Sequence, residues 1–265
     1  MERARHISLR VTGIVQGVGF RPFVYRVALK YGMAGTVRND TRGVLVHAQG
    51  PESNVRLFVY EIGSNHPPLA RIDTLVIKEE LPAGFTGFRI EPSAELEERS
   101  AIIPPDSALC DHCLAELRNP ADRRFAYPFI TCTNCGPRFS IVRDIPYDRK
   151  NTSMEPFAMC DACAREYADP LDRRFHTQPN ACTVCGPHIE LNDATGAMLS
   201  KDAVEIARMT ASYLSSGRIV AIKGVGGYLL ACDARNDEAV LELRRRKGRP
   251  FKPFALMAGS LEKAG

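Results

Sequence analysis

Eight of the chain's nine cysteines lie between Cys110 and Cys185, and they form a repeat. Cys110-Asp111-His112-Cys113 and Cys132-Thr133-Asn134-Cys135-Gly136-Pro137 return 50 residues later as Cys160-Asp161-Ala162-Cys163 and Cys182-Thr183-Val184-Cys185-Gly186-Pro187. Asp122-Arg123-Arg124-Phe125 likewise returns as Asp172-Arg173-Arg174-Phe175. Each copy reads C-x2-C-x18-C-x2-C, within the spacing range of four-cysteine zinc sites. Four thiolates complete a tetrahedron and leave no open position for water, so the predicted role of each Zn2+ is structural. Redox pairs and iron-sulfur ligation are the competing readings. Four C-x2-C pairs in tandem exceed what a thioredoxin-type site needs, and neither copy has the closely spaced cysteines of ferredoxins. Ligation within each copy is the default expectation, with exchange of half-sites between copies left open. His112 and His188 read as surface residues near the sites, and Cys232, alone on a predicted strand, as a buried small hydrophobe.

The rest of the 265 residues, 45% hydrophobic and 25% charged overall, has the composition of an ordinary globular protein. No apolar run nears the roughly 18 residues of a membrane span and no signal core follows Met1, so a cytoplasmic address without a membrane partner is expected. Four segments are predicted: residues 1–91, a Pro- and Glu-containing linker at 92–109, the duplicated cysteine segment at 110–191, and an α/β segment at 192–265.

In the first segment Ile7, Leu9 and Val11 alternate as in a half-buried strand, and Phe20, Phe23, Val24, Val27, Ala28 and Tyr31 recur at helical spacing. Two strands follow at 35–39 and 44–48, then a helix carrying Val55, Phe58, Val59 and Ile62, then a strand at 71–77. That order predicts a ferredoxin-like antiparallel sheet with both helices on one face, and an α+β multidomain chain as a whole.

Between the first strand and helix stands Gly13-Ile14-Val15-Gln16-Gly17-Val18-Gly19-Phe20-Arg21. Glycines let successive backbone N-H groups converge on an anion at a helix amino end, and an arginine there can grip a phosphoryl group. Read alone, the string is equally a tight glycine turn with a surface arginine. It is neither a Walker A loop nor a dinucleotide fingerprint. As a whole it resembles the signature of the acylphosphatase family, and Gly35-Thr36-Val37-Arg38-Asn39 matches that family's second element. The resemblance implies that Arg21 and the loop Gln16, Gly17, Val18, Gly19 and Phe20 bind the phosphoryl group while the Asn39 amide orients the attacking water.

Residues 110–192 carry a net charge of minus one, so the Asp-Arg-Arg-Phe segments lack the footprint of nucleic-acid binding and read as a salt-bridged face beside each knuckle. From Lys201 onward the pattern predicts helices at 203–214 and 239–246 and strands at 218–223, 228–232 and 253–257. About 65 residues make a small core, so this segment reads as the opening part of a domain. Its basic run from Arg244 to Pro253, with the strand ending in Lys223, resembles the YrdC/Sua5 family, which makes carbamoyl-type adenylates from ATP. By that resemblance Lys247, Arg249 and Lys252 bind nucleotide phosphates; Lys223, which departs from the threonine-bearing strand end of the stand-alone members, is placed with them as a nucleotide-binding candidate.

Taken in order, the segments resemble the carbamoyltransferase family of nickel-iron hydrogenase maturation. This resemblance implies hydrolysis of carbamoyl phosphate, adenylation of the released carbamate with ATP and Mg2+, and transfer of the carbamoyl group to the carboxy-terminal cysteine of a partner, HypE, on the way to cyanide ligands. Only the first step is expected of this stretch alone. Two other readings stay open: a general acylphosphatase with a zinc appendage, and a zinc-ribbon module that binds RNA or protein.

Overall fold

The computed structural model describes residues 4–260 and Glu262, so the ends of the first and last predicted segments, residues 1–3, 261 and 263–265, lie outside the described residues. The chain divides into two compact units, Met1–Pro187 and His188–Gly265.

In the first unit Ile7, Leu9 and Val11 are fully buried on one face of β1 (Ala4–Ile14), as strand alternation requires. β2 (Ala34–Asp40) and β3 (Gly43–Pro51) form a hairpin, and β4 (Arg71–Glu80) flanks β1 on its other side. The register sets Leu9 opposite both Val46 of β3 and Ile77 of β4. Helices α1 (Phe20–Lys30) and α2 (Glu52–Ser64) press Phe20, Val24, Val27, Phe58 and Ile62 into one core with those strands.

The sheet departs from the expected antiparallel set in one respect. A short strand, β5 (Phe88–Ile90), joins β2 in parallel and gives the order β4-β1-β3-β2-β5. Three residues are too few to show a period in sequence. The linker then continues along the same edge: the Ala94 N-H donates to the Asn39 carbonyl at 3.0 Å, and Ser100 and Ala101 donate to Thr41 at 2.8 Å. Backbone groups on the outer edge of β2 would otherwise lack partners, which is why this Pro- and Glu-containing stretch is docked.

In the cysteine segment α3 (Asp111–Arg118) and α4 (Asp161–Ala168) each open directly after the first cysteine of their copy. Cys113 and Cys163 thus sit fully buried in the first helical turns, Cys113 within a small cluster that includes Tyr127, Ile130, Met154 and Ala181.

The second unit holds β6 (Leu191–Asn192), β7 (Met198–Ser200), α5 (Ala203–Ser215), the hairpin β8 (Val220–Lys223) and β9 (Tyr228–Ala231), and α6 (Asp237–Lys247). The Asp202 carboxylate caps α5 by accepting from Glu205 N at 2.8 Å, and Asn236 caps α6 by accepting from Ala239 N at 3.0 Å. Two expectations are corrected here. Residues 253–257 form no strand: Pro253 lacks an N-H to donate, no strand among the described residues pairs with them, and Leu256 and Met257 are exposed. Cys232 is half-buried rather than a core residue. Among the described residues no helix is long and apolar enough to cross a membrane.

Candidate active site

Gly17 and Gly19 adopt φ of 73° and 76°, the left-handed region that an L side chain resists, and Gly19 stands at the amino end of α1. A Cβ on Gly17 would lie 2.5 Å from the Pro137 Cβ, so glycine is also needed for close approach by the cysteine segment. Gln16 rivets the loop in place. Its amide nitrogen donates to the Asp40 and Gly43 carbonyls at 2.7 and 2.9 Å, and its oxygen accepts from Tyr147 N at 2.9 Å. Val18 turns into the core and leaves only its backbone for the loop.

Arg21, in the first turn of α1, is 8% exposed. Its Nη1 donates to Ser93 Oγ at 3.3 Å and its Nη2 to Asp148 Oδ1 at 3.1 Å. Asn39, near the end of β2 and buried, completes the group: with Oδ1 turned toward Arg21 it accepts from Nε at 3.2 Å and Nη2 at 3.3 Å. Gly17, Gly19, Phe20, Arg21 and Asn39 therefore line one crevice. Its opposite wall comes from the cysteine segment, through Thr133, Tyr147, His176, Thr177 and Gln178. Sequence reasoning missed that wall. The available signal was the divergence of the two copies there, Ala126-Tyr127-Pro128 in the first against His176-Thr177-Gln178 in the second.

The eight cysteines gather into two sets, one per copy, with the sulfurs of each set within 4.8 Å of one another. Cys110 and Cys132 are 3.5 Å apart and Cys132 and Cys135 3.9 Å. In the second copy Cys160 and Cys182 are 3.8 Å apart, Cys182 and Cys185 3.9 Å, and Cys163 and Cys185 3.6 Å. Bonds of about 2.3 Å to a tetrahedral Zn2+ give an edge of about 3.8 Å, which these spacings fit. Proton sharing makes the same point. Hydrogen bonding with Cys132 and Cys135, then burial, holds the Cys113 thiol far above its ordinary range, while bonds from Cys113 and Cys132 hold Cys135 far below. A divalent cation relieves that competition by letting all four ionise. Metal analysis of the purified chain is expected to return about two zinc ions; one or none would contradict the paired sites.

The Asp-Arg-Arg-Phe segments do form salt bridges, but across the repeat rather than beside their own knuckles. Arg124, with a side chain 2% exposed, donates to Glu166 Oε1 at 3.0 Å, to Asn180 Oδ1 at 3.0 Å and to the Ala181 carbonyl at 2.9 Å, all in the second copy. Arg123 donates to the Cys163 sulfur at 3.3 Å. The reciprocal set is present: Arg174 pairs with Glu116 and donates to the Thr131 carbonyl at 3.1 Å, and Arg173 donates to the Cys113 sulfur at 2.9 Å. Each cysteine set thus receives cationic donors from the other copy, which offset the negative charge of a four-thiolate zinc site. Burial acts to raise the Glu166 carboxyl, but hydrogen bonds from Arg124 and Arg123 outweigh it and hold the group down to about 2.

In the second unit the basic run folds back on the end of α6. Arg244 Nη1 donates to the Arg249 and Lys252 carbonyls at 3.2 and 3.0 Å, and the Arg244 and Arg249 guanidinium groups lie 4.7 and 5.8 Å from the centre of the Phe254 ring. Lys247 is the last residue of α6, and Lys223, at the end of β8, lies 5.2 Å from the centre of the Tyr228 ring.

Comparison with known proteins finds three families along the chain. Residues 7–90 match the acylphosphatase family, residues 109–142 and 159–191 match the HypF finger, and residues 212–265 match a family described as telomere recombination, the Sua5/YrdC group. A probable carbamoyltransferase HypF of Methanocaldococcus jannaschii is 52% identical over 254 residues, covering 95% of this chain and 33% of the relative. An acylphosphatase of Thermotoga maritima is 42% identical over 86 residues, covering 32% of this chain and 94% of the relative. A crystal structure of full-length HypF in the phosphate- and nucleotide-bound form aligns with a TM-score of 0.91 at 45% identity, covering 100% of this chain and 34% of that one. The chain spans about a third of the length of the HypF relatives it matches.

Proposed function

The chain belongs to the HypF carbamoyltransferase family, and from that membership we propose that its crevice at Arg21 and Asn39 releases phosphate from carbamoyl phosphate. The observation that carries this reading is the buried Arg21–Asn39 pair facing a left-handed glycine loop at the amino end of a helix. Loop N-H groups and the Arg21 guanidinium hold the phosphoryl oxygens and stabilise the charge that develops on them. With its oxygen committed to Arg21, the Asn39 amide keeps its N-H2 edge for positioning water. That water forms a new bond to phosphorus as the bond from phosphorus to the acyl oxygen breaks. Carbamate leaves as an anion, and the water's protons pass to phosphate and solvent. An acyl phosphate is activated already, so positioning and charge stabilisation suffice without a covalent nucleophile.

The proposal extends to the relatives' wider role. Lys223, Lys247, Arg249 and Lys252 bind the phosphates of ATP with Mg2+, the carbamate is adenylated there, and the carbamoyl group passes to HypE. The zinc ions, ligated by Cys110, Cys113, Cys132 and Cys135 and by Cys160, Cys163, Cys182 and Cys185, serve as structural centres beside the crevice.

Asn39→Ala tests the site directly. It is expected to lower kcat/KM for carbamoyl phosphate about 100-fold, because the lost amide both positions the water and orients the Arg21 guanidinium. Activity equal to wild type would remove the assignment, and turnover of acetyl phosphate equal to that of carbamoyl phosphate would favour a general acylphosphatase.

A further inference from the structure

Resting on the carbamoyl phosphate reading above, we propose that Asp148, His176 and Thr177 form an acyl-recognition wall that selects acyl phosphates whose acyl group carries N-H donors. All three come from the cysteine segment, His176 and Thr177 as lining of the crevice and Asp148 as the hydrogen-bond partner of Arg21, and the stand-alone acylphosphatase relative, 94% covered by an 86-residue match, has no comparable segment in which to carry such a wall.

The wall stands one hydrogen bond from the phosphoryl-binding group, because Asp148 Oδ1 accepts from Arg21 Nη2 at 3.1 Å. An acyl group attached to a phosphoryl held by Arg21 therefore meets these residues. Thr177 lines the crevice, is 4% exposed, and its Oγ1 has no hydrogen-bond partner among the described residues. A buried hydroxyl without a partner is costly, and a ligand that pairs with it recovers that cost. His176 adds a second polar group in an unusual backbone setting, with φ of 55°. Its counterpart in the first copy, Ala126, has φ of 54°, so the left-handed turn belongs to the repeat while the imidazole belongs only to the copy that faces the loop. Burial, and then the nearby Arg21, keep the ring uncharged at neutral pH by lowering its pKa to about 4, which leaves one ring nitrogen as an acceptor.

A carboxylate, a hydroxyl and an imidazole nitrogen together offer acceptors to the N-H2 of a carbamoyl group. The methyl of acetyl phosphate has nothing to donate. A site built around such hydrogen bonds discriminates against analogues that lack them, since the buried Thr177 hydroxyl is then left unpaired. Repulsion between Asp148 and the phosphoryl oxygens is shared by both substrates, so it cancels in their ratio.

The test is the ratio of kcat/KM for carbamoyl phosphate to that for acetyl phosphate, measured on the full chain and on Thr177→Val and Asp148→Asn, with zinc content as the check on folding. Thr177→Val keeps the shape and removes a hydroxyl that no described group of the protein uses. Wild type is expected to prefer carbamoyl phosphate, and the ratio is expected to fall about 10-fold in Thr177→Val and in Asp148→Asn. A fall of more than about threefold in either variant supports the wall. A smaller change in both, or a wild type without preference, overturns it while leaving the phosphatase reading intact. A wild type inactive on both substrates removes that reading and the wall with it.

Discussion

Arg21→Ala is expected to slow phosphate release from carbamoyl phosphate by about 10²–10³-fold, or roughly 2.7–4 kcal/mol of transition-state stabilisation. The guanidinium is the cation that Ser93, Asn39 and Asp148 converge on, and it is 8% exposed, so water cannot replace it cheaply. Arg21→Lys should recover only part of the loss, because an ammonium lacks the planar fork that bonds Asn39, Asp148 and Ser93 and still keeps an N-H for the phosphoryl group. Phosphate release followed by ³¹P NMR, with zinc content as the folding control, checks both variants. Wild-type rates in Arg21→Ala would mean that the loop amides alone perform the chemistry.

Arg124→Ala carries the largest expected cost in stability. The side chain is 2% exposed and bonds Glu166, Asn180 and the Ala181 carbonyl across the repeat. Truncation leaves Asn180 Oδ1 and the Ala181 carbonyl buried without that donor and leaves Glu166 with Arg123 alone, a loss of about 3–5 kcal/mol. For a unit of this size the thermal midpoint should fall by about 10 °C. Because the bonds cross between copies, zinc held by Cys160, Cys163, Cys182 and Cys185 should reach a competing chelator faster even though every ligand is intact. An unchanged midpoint together with unchanged release kinetics would show that the reciprocal arginines do not support the metal sites.

The parts of this architecture that repeat locally were readable from sequence. Alternation at Ile7, Leu9 and Val11 located β1, and helical spacing from Phe20 to Tyr31 located α1. The fifty-residue period brought each set of four cysteines together within its own copy. Pairings set by tertiary contact were not readable. Arg124 and Arg174 look alike in sequence, and nothing near either one indicates that its partner is the glutamate of the other copy. β5 is too short to carry a period, and the linker's docking depends on an open edge that exists only once the sheet has formed. The wall facing Arg21 comes from residues more than a hundred positions along the chain, where a histidine and a threonine stand among metal-site loops. Divergence between the copies was the one local trace of it. In the second unit, apolar character suggested a strand at 253–257, but a strand needs a hydrogen-bonding neighbour as well as apolar residues.

The central claim is that water attacks phosphorus at the Arg21–Asn39 crevice. Incubation of the full chain with carbamoyl phosphate in H2¹⁸O, read by ³¹P NMR, tests it most directly. The expected result is phosphate release above the spontaneous rate, with ¹⁸O in the phosphate and both signals reduced to background in Arg21→Ala. Release no faster than the spontaneous rate, or enzymatic release of phosphate without the label, would contradict it.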